Sequence, residues 1–355
     1  MNWESLLAEF RALGGIADNV TLRLGVRGRG VFAADPARPV RLFAPPNLLV
    51  PCEDTEIRSG QLVVKASSSV GERERAFFGR YQRNFSWGAG VFEDLWQTQL
   101  AWNLLPQNAR DALLATWPMR SNDFSQPSED ACHSRYLDTR MIKYREVPVL
   151  MPVVELINHG RDASAFDRTN GIGVGGMFSD EVLATYGSND CWGTAVSYGF
   201  CEARNYAYAT QGSFKFEGYL IKISRSPNRA ENYNGVALPI VHVEDGAIHF
   251  SFLTLGNEKC PDVPRAAFLH ATKNIPIEQP DKLFDLIQHH NRHLLIKFLR
   301  GSEGSATSLV AMLRRAAYQQ LETLSCHWGA RTLSAEPEDA GGTGPNRYAT
   351  LLNGI

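Results

Sequence analysis

The chain has 355 residues, 44% hydrophobic and 21% charged, with a formal net charge of −2. That length allows one elaborated domain or two to three smaller ones, and the composition is that of an ordinary globular protein. The near-neutral charge gives no general electrostatic reason to expect nucleic acid or an anionic membrane as partner.

Met1 to Phe10 reads as an acidic, amphipathic helix start, without the basic n-region and apolar run of a signal peptide. Leu22 to Pro51 breaks into short Val-, Leu- and Phe-rich segments separated by Gly and Pro, the pattern of strands joined by tight turns. Between Gly71 and Trp117 apolar residues recur at helical spacing: Phe77, Phe78 and Tyr81, then Phe92, Leu95, Trp96, Leu100, Leu104 and Leu105. Pro106 is placed to break that run. A polar loop is expected over Asn122 to Asp130, an apolar run over Val147 to Ile157, and a glycine-rich turn region over Asn170 to Gly176. Val182 to Tyr186 reads as a short strand, and Asp190 to Tyr198 as a short helix with Asn189 as N-cap.

Further on, strands are predicted at Tyr219 to Ile223, Val236 to Val243 and Ile248 to Leu253, with turns at Asn234-Gly235 and Asp245-Gly246. Asp281 to Arg300 and Ala306 to Leu324 read as an antiparallel helical pair, the first burying Leu283, Leu286, Ile287, Leu294 and Phe298. Ser334 to Pro345 is polar and rich in Glu, Gly and Pro, the composition of a mobile tail. The whole predicts an α+β fold of short sheets interrupted by a helical block, and not a doubly wound one.

Six scattered cysteines contain no C-x-x-C pair, which argues against a compact zinc site or a disulfide framework and suits a reducing cytoplasm. No metal is therefore expected. His289 and His293 stand four apart on the first C-terminal helix without the Glu of a zinc-protease motif. Gly171 to Gly176 lacks the Lys-Ser/Thr ending of a phosphate loop, and no G-x-S-x-G elbow occurs.

Three segments carry chemistry. Gly28-Arg29-Gly30-Val31-Phe32 is either a plain turn or a place where backbone comes close to a ligand. Asn158-His159 ends an apolar run, as a satisfied polar corner or as a site. Asp180 to Asp190, with Tyr186 followed by Tyr198-Gly199-Phe200, offers core aromatics or a reactive tyrosine pair.

In order and spacing these segments resemble the SET-domain protein methyltransferases. The helical block after the first segment and the closely spaced Ser-Asn and Tyr-Gly-Phe elements resemble the subgroup of the RuBisCO large-subunit methyltransferase. The resemblance covers roughly residues 15 to 205 and implies a pseudoknot-like β-core. On that footing the chain divides into residues 1–50 and 146–205 as the two parts of the SET domain and 51–145 as a helical insertion. Residues 206–333 become a substrate-docking region and 334–355 a flexible tail.

The resemblance implies transfer of a methyl group from S-adenosylmethionine to a lysine of a non-histone protein. The alternatives are a histidine target, or a catalytically inactive protein-binding module. It implies Tyr186 and Tyr198 as catalytic tyrosines, and cofactor contacts from Gly28, Arg29 and Gly30 through their backbone. Asn158 and His159 would hold the cofactor's amino group and adenine, Phe200 the adenine face, and Arg140 the carboxylate, with Arg135 close by. The partner would be a protein, with neither nucleic acid nor membrane involved, in the cytoplasm.

Overall fold

The computed structural model describes residues 1–117, 124, 126–187, 189–225 and 232–326. The expected tail after 333 lies outside these residues, as does part of the loop expected from Asn122. The chain divides into two compact units, the first from Met1–Asn103 and Ser125–Ser188, the second from Leu104–Phe124 and Asn189–Ile355. Among the described residues no helix is long and apolar enough to cross a membrane.

The first unit opens with α1 (Trp3–Ala12), capped by the Asn2 side chain, which accepts from the Ser5 N–H at 2.8 Å. Its Leu6, Leu7 and Phe10 are buried. Strands β1 (Ile16–Asp18), β2 (Val20–Gly25), β3 (Gly28–Ala33) and β4 (Val40–Ala44) follow, then β5 (Val50–Pro51), β6 (Thr55–Arg58) and β7 (Gln61–Val64). The helical stretch is α2 (Glu72–Phe85), α3 (Phe92–Asn103) and α4 (Gln107–Thr116), with the break at Pro106 where expected; α4 belongs to the second unit. Next come α5 (Glu129–Arg140), capped by Ser128, then β8 (Ile142–Tyr144), β9 (Val147–Leu150), β10 (Asn158–His159), β11 (Ile172–Gly176) and β12 (Leu183–Ala184).

These strands make several small sheets: β1-β4-β11, β5-β9-β8, and the pairs β2-β3, β6-β7 and β10-β12. The α+β architecture of short sheets is as expected. The glycine-rich turn expected at Asn170 to Gly176 is instead largely strand β11, lying against β4. Its glycines serve packing, since a Cβ on Gly173 would run into the Leu42 carbonyl and the Phe43 backbone. The strand expected over Val182 to Tyr186 shrinks to Leu183–Ala184, because the chain changes partners there.

The second unit holds α6 (Cys191–Tyr198), β13 (Tyr206–Tyr208), β14 (Gly212–Phe216), β15 (Tyr219–Ile223), β16 (Asn232–Tyr233), β17 (Val236–Ala237), β18 (Val241–Glu244), β19 (Ala247–Phe250) and β20 (Thr254–Asn257). Three helices, α7 (Val263–Thr272), α8 (Pro280–Gly301) and α9 (Ser308–Ser325), complete it. Its main sheet runs β14-β15-β19-β18. The strand expected from Val236 to Val243 is split at Leu238-Pro239, where proline has no N–H to offer a ladder. Leu286 does not join the buried face of α8 but stays 44% exposed, and Phe284 fills the core beside Leu283 and Ile287.

Asp190, not Asn189, caps α6. Its carboxylate is fully buried and accepts from Gly193 N at 2.8 Å, Tyr208 N at 2.8 Å, Arg225 Nη2 at 3.2 Å and Gln320 Nε2 at 2.5 Å. Burial lowers the Arg225 pKa, and the Asp190 charge opposes that shift. The Arg225 guanidinium also lies 4.0 Å from the centre of the Trp117 ring.

Candidate functional site

The hairpin β2–β3 closes with Gly25 opposite Gly28. Gly28 has φ +90° with open space around it, so this glycine is required by the turn. Gly30 is required by close approach. A Cβ there would stand 2.5 Å from Asn158 Nδ2 and 2.8 Å from Glu181 Oε1.

One short stretch of the third motif segment, residues 180 to 186, pairs with both of the other two. It first runs antiparallel beside β3, with Ala33 N donating to Asp180 O and Val182 N to Val31 O, both at 2.9 Å. It then changes partner and pairs parallel with β10, Asn158 opposite Leu183 and His159 opposite Ala184. This delivers Tyr186 onto the Asn158-His159 corner. Tyr186 N donates to His159 Nδ1 at 3.0 Å, its hydroxyl donates to Ile157 O at 2.7 Å, and the two rings lie 5.1 Å apart. His159 therefore accepts at Nδ1, which leaves Nε2 to carry the proton of the neutral ring.

The other side chains are held by the protein itself. Asn158 Nδ2 donates to Glu181 Oε1 at 2.8 Å and to Arg29 O at 3.3 Å. Glu181 in turn pairs with Arg27 at 2.8 Å. Arg29 sends its guanidinium to the Phe85 carbonyl at 2.8 Å, at the C-terminus of α2, where a cation suits the helix dipole.

Arg140 and Tyr136 share one face of α5, and the guanidinium lies 4.8 Å from the centre of the Tyr136 ring. Burial works against the Arg140 charge, but Tyr136, Glu155 and Tyr186 outweigh it and raise its pKa. No described residue accepts from the buried Arg140 Nε. Tyr198 and Phe200 belong to the second unit, where their rings stack 6.2 Å apart.

Glu155 was not among the expected site residues. Its Oε1 accepts from Tyr81 OH at 2.9 Å, Ser86 Oγ at 2.7 Å and Tyr136 OH at 2.6 Å, while its Oε2 is buried without a described donor. Burial, and then this carboxylate, push the Tyr81 and Tyr136 phenols well above their ordinary range. The same two causes, in that order, with Asp138 third, push the Cys52 thiol to about 12. The signal was present in the sequence as the lone acid of the apolar run Leu150 to Ile157.

No known protein family matches the chain, and no curated protein does. Among solved structures, the SET domain of LSMT bound to lysine and AdoHcy aligns over 95% of this chain and 96% of its own, at 14% identity and a TM-score of 0.37. A likeness that slight does not establish a shared fold.

Proposed function

We propose that the protein is an S-adenosylmethionine-dependent methyltransferase of the SET type, acting on a lysine of a non-histone protein in the cytoplasm. The reading is carried by the way residues 180 to 186 pair with β3 and then with β10. Residues from the Gly28–Phe32 segment, the Asn158-His159 corner and the Asp180–Tyr186 part of the third segment meet there through backbone hydrogen bonds. A chance match to three short patterns gives no reason for them to be neighbours in space.

The residues fit the cofactor. Both Nδ2 hydrogens of Asn158 are engaged within the protein, so its Oδ1 is the atom that would accept from the cofactor's ammonium group. Arg140, with a buried Nε that no described residue satisfies, suits the cofactor's carboxylate. S-adenosylmethionine would supply a sulfonium methyl to a lysine amine already deprotonated to solvent, and would leave as S-adenosylhomocysteine.

The chain's own work is alignment and electrostatics. The Tyr186 hydroxyl donates a hydrogen bond to Ile157 O, which orients its oxygen as an acceptor that would hold the polarised methyl through C–H···O contacts. Gly28, Arg29 and Gly30 offer backbone groups, and His159, its Nδ1 occupied by Tyr186 N, would contribute mainly through its backbone. Tyr198 as second tyrosine and Phe200 as adenine contact rest on the resemblance alone.

The test is calorimetric titration with S-adenosylmethionine, followed by isotopic methyl labelling of a lysate and mass spectrometry. Asn158→Ala is expected to weaken cofactor binding about 10- to 100-fold, the worth of a hydrogen bond to a charged group. Tyr186→Phe should bind within about threefold of wild type yet methylate about 100-fold more slowly, as for loss of one transition-state contact. A protein that binds no S-adenosylmethionine sinks the proposal. Binding without any labelled protein turns it into a scaffold, and label on histidine replaces the target residue.

A further inference from the structure

The hairpin of β18 and β19 turns on Asp245-Gly246, whose φ values of +49° and +73° fit a two-residue type I′ turn. That turn sets the register: Glu244 stands opposite Ala247, Val243 opposite Ile248 and His242 opposite His249. Side chains alternate along a strand, so His242, Glu244 and His249 share one face of the sheet, while Ile248 and Phe250 are buried on the other. The two imidazole rings are 4.5 Å apart and nearly parallel, at 11°. A donor atom from each of the three residues lies within 4.8 Å of the other two.

We propose that His242, Glu244 and His249 bind one divalent transition-metal ion of the zinc class, through two imidazole nitrogens and one carboxylate oxygen. This donor set suits zinc, which takes histidine nitrogen and carboxylate oxygen in tetrahedral geometry. Bonds of about 2.1 Å at a tetrahedral centre hold donors roughly 3.4 Å apart. His242 and Glu244 are exposed and His249 half-buried, so side-chain rotation alone draws the donors together.

The histidine pair also lines a groove of about 540 Å³, together with Ser213, Lys222, Ser224 and Ser251. The fourth coordination position is therefore open to water or to an oxygen ligand entering that groove, as in zinc sites that do chemistry rather than structural ones. Lys222, the cross-strand partner of His249 in β15, places a positive charge beside the ion and lowers its affinity. The site is independent of the methyl-transfer reading.

The test is calorimetric titration of metal-free, full-length protein with Zn2+ at neutral pH, with Cu2+ electron paramagnetic resonance as a second readout. A site with Kd of about 10 µM is expected, consistent with three partly exposed ligands. The number of sites should fall by one in His242→Ala and in His249→Ala. Lys222→Ala should bind several-fold more tightly, and His289→Ala should bind as wild type does. Copper bound here shows coupling to two nitrogens, reduced to one in either histidine variant. The proposal is overturned if no zinc binds at about 100 µM, ten times the expected Kd. It is equally overturned if both histidine variants keep the wild-type stoichiometry and affinity while circular dichroism shows them folded.

Discussion

Gly28 and Gly30 are separated by Arg29 alone and answer to different constraints. Alanine at Gly28 meets open space and suffers only from its φ of +90°, at a cost of about 1 kcal/mol. Alanine at Gly30 must push Asn158 away from Glu181, at about 1–3 kcal/mol. Urea denaturation together with cofactor titration separates the two: Gly28→Ala should act mainly on stability, whereas Gly30→Ala, which displaces Asn158, should weaken S-adenosylmethionine binding by clearly more. Equal effects in both assays would contradict the close-approach account. At this scale the sequence offers candidate residues but not the partners that hold them. Asn158, His159 and Tyr186 were legible as a motif. Glu181 as the Asn158 partner was not, because the two meet only once β10 has paired with β12. Glu155 was overlooked for a related reason, since its hydroxyl partners come from α2, α5 and the turn after Phe85.

Elements announced by strong local chemistry were the ones the sequence predicted well. The Asn-Gly and Asp-Gly turns, the proline at 106 and the amphipathic α8 and α9 are all where expected. The N-cap of α6 was placed one residue early because Asn189 and Asp190 are both good caps, and the choice depends on tertiary partners. Asp190→Ala removes the cap and leaves Arg225 buried without its counter-charge, so a loss of about 3–5 kcal/mol is expected. Asn189→Ala should cost less than about 1 kcal/mol. A chemical-denaturation pair in which both variants match wild type would remove Asp190 from this role. The expectation of no metal came from cysteine spacing, and the proposed histidine site would lie outside what such spacing can reveal. Cross-strand histidines form no local motif; His242 and His249 become neighbours only through the register of a hairpin.

At the scale of the molecule, the order of strand-like and helical segments foretold an α+β chain, and α4, one helix of the block read from 71 to 117, packs on α8. That contact is close: a Cβ on Gly301 would stand 2.8 Å from Ala109 N. Stability of the whole chain should depend on pH. Burial lowers the proton affinity of His133 and, with the His293 and His289 charges, that of His290, both from an ordinary value of 6.5. The unfolded chain therefore takes up protons more readily, so this contribution is complete above pH 6.5 and is lost as pH falls through the lowered folded-state values. Urea midpoints measured at about pH 7.5 and about pH 5.5 should show the loss, and the double variant His133→Gln, His290→Gln should flatten it. Asp190 has a further consequence, for the order of events during synthesis. The carboxylate emerges before its counter-ion Arg225, and Gln320 follows it by 130 residues. At translation speeds of about 5–20 residues per second, that interval is on the order of 10 s. The second unit thus cannot complete its buried centre until Gln320 has been made, and α4, which ends at Thr116, waits longer still for α8, which starts at Pro280.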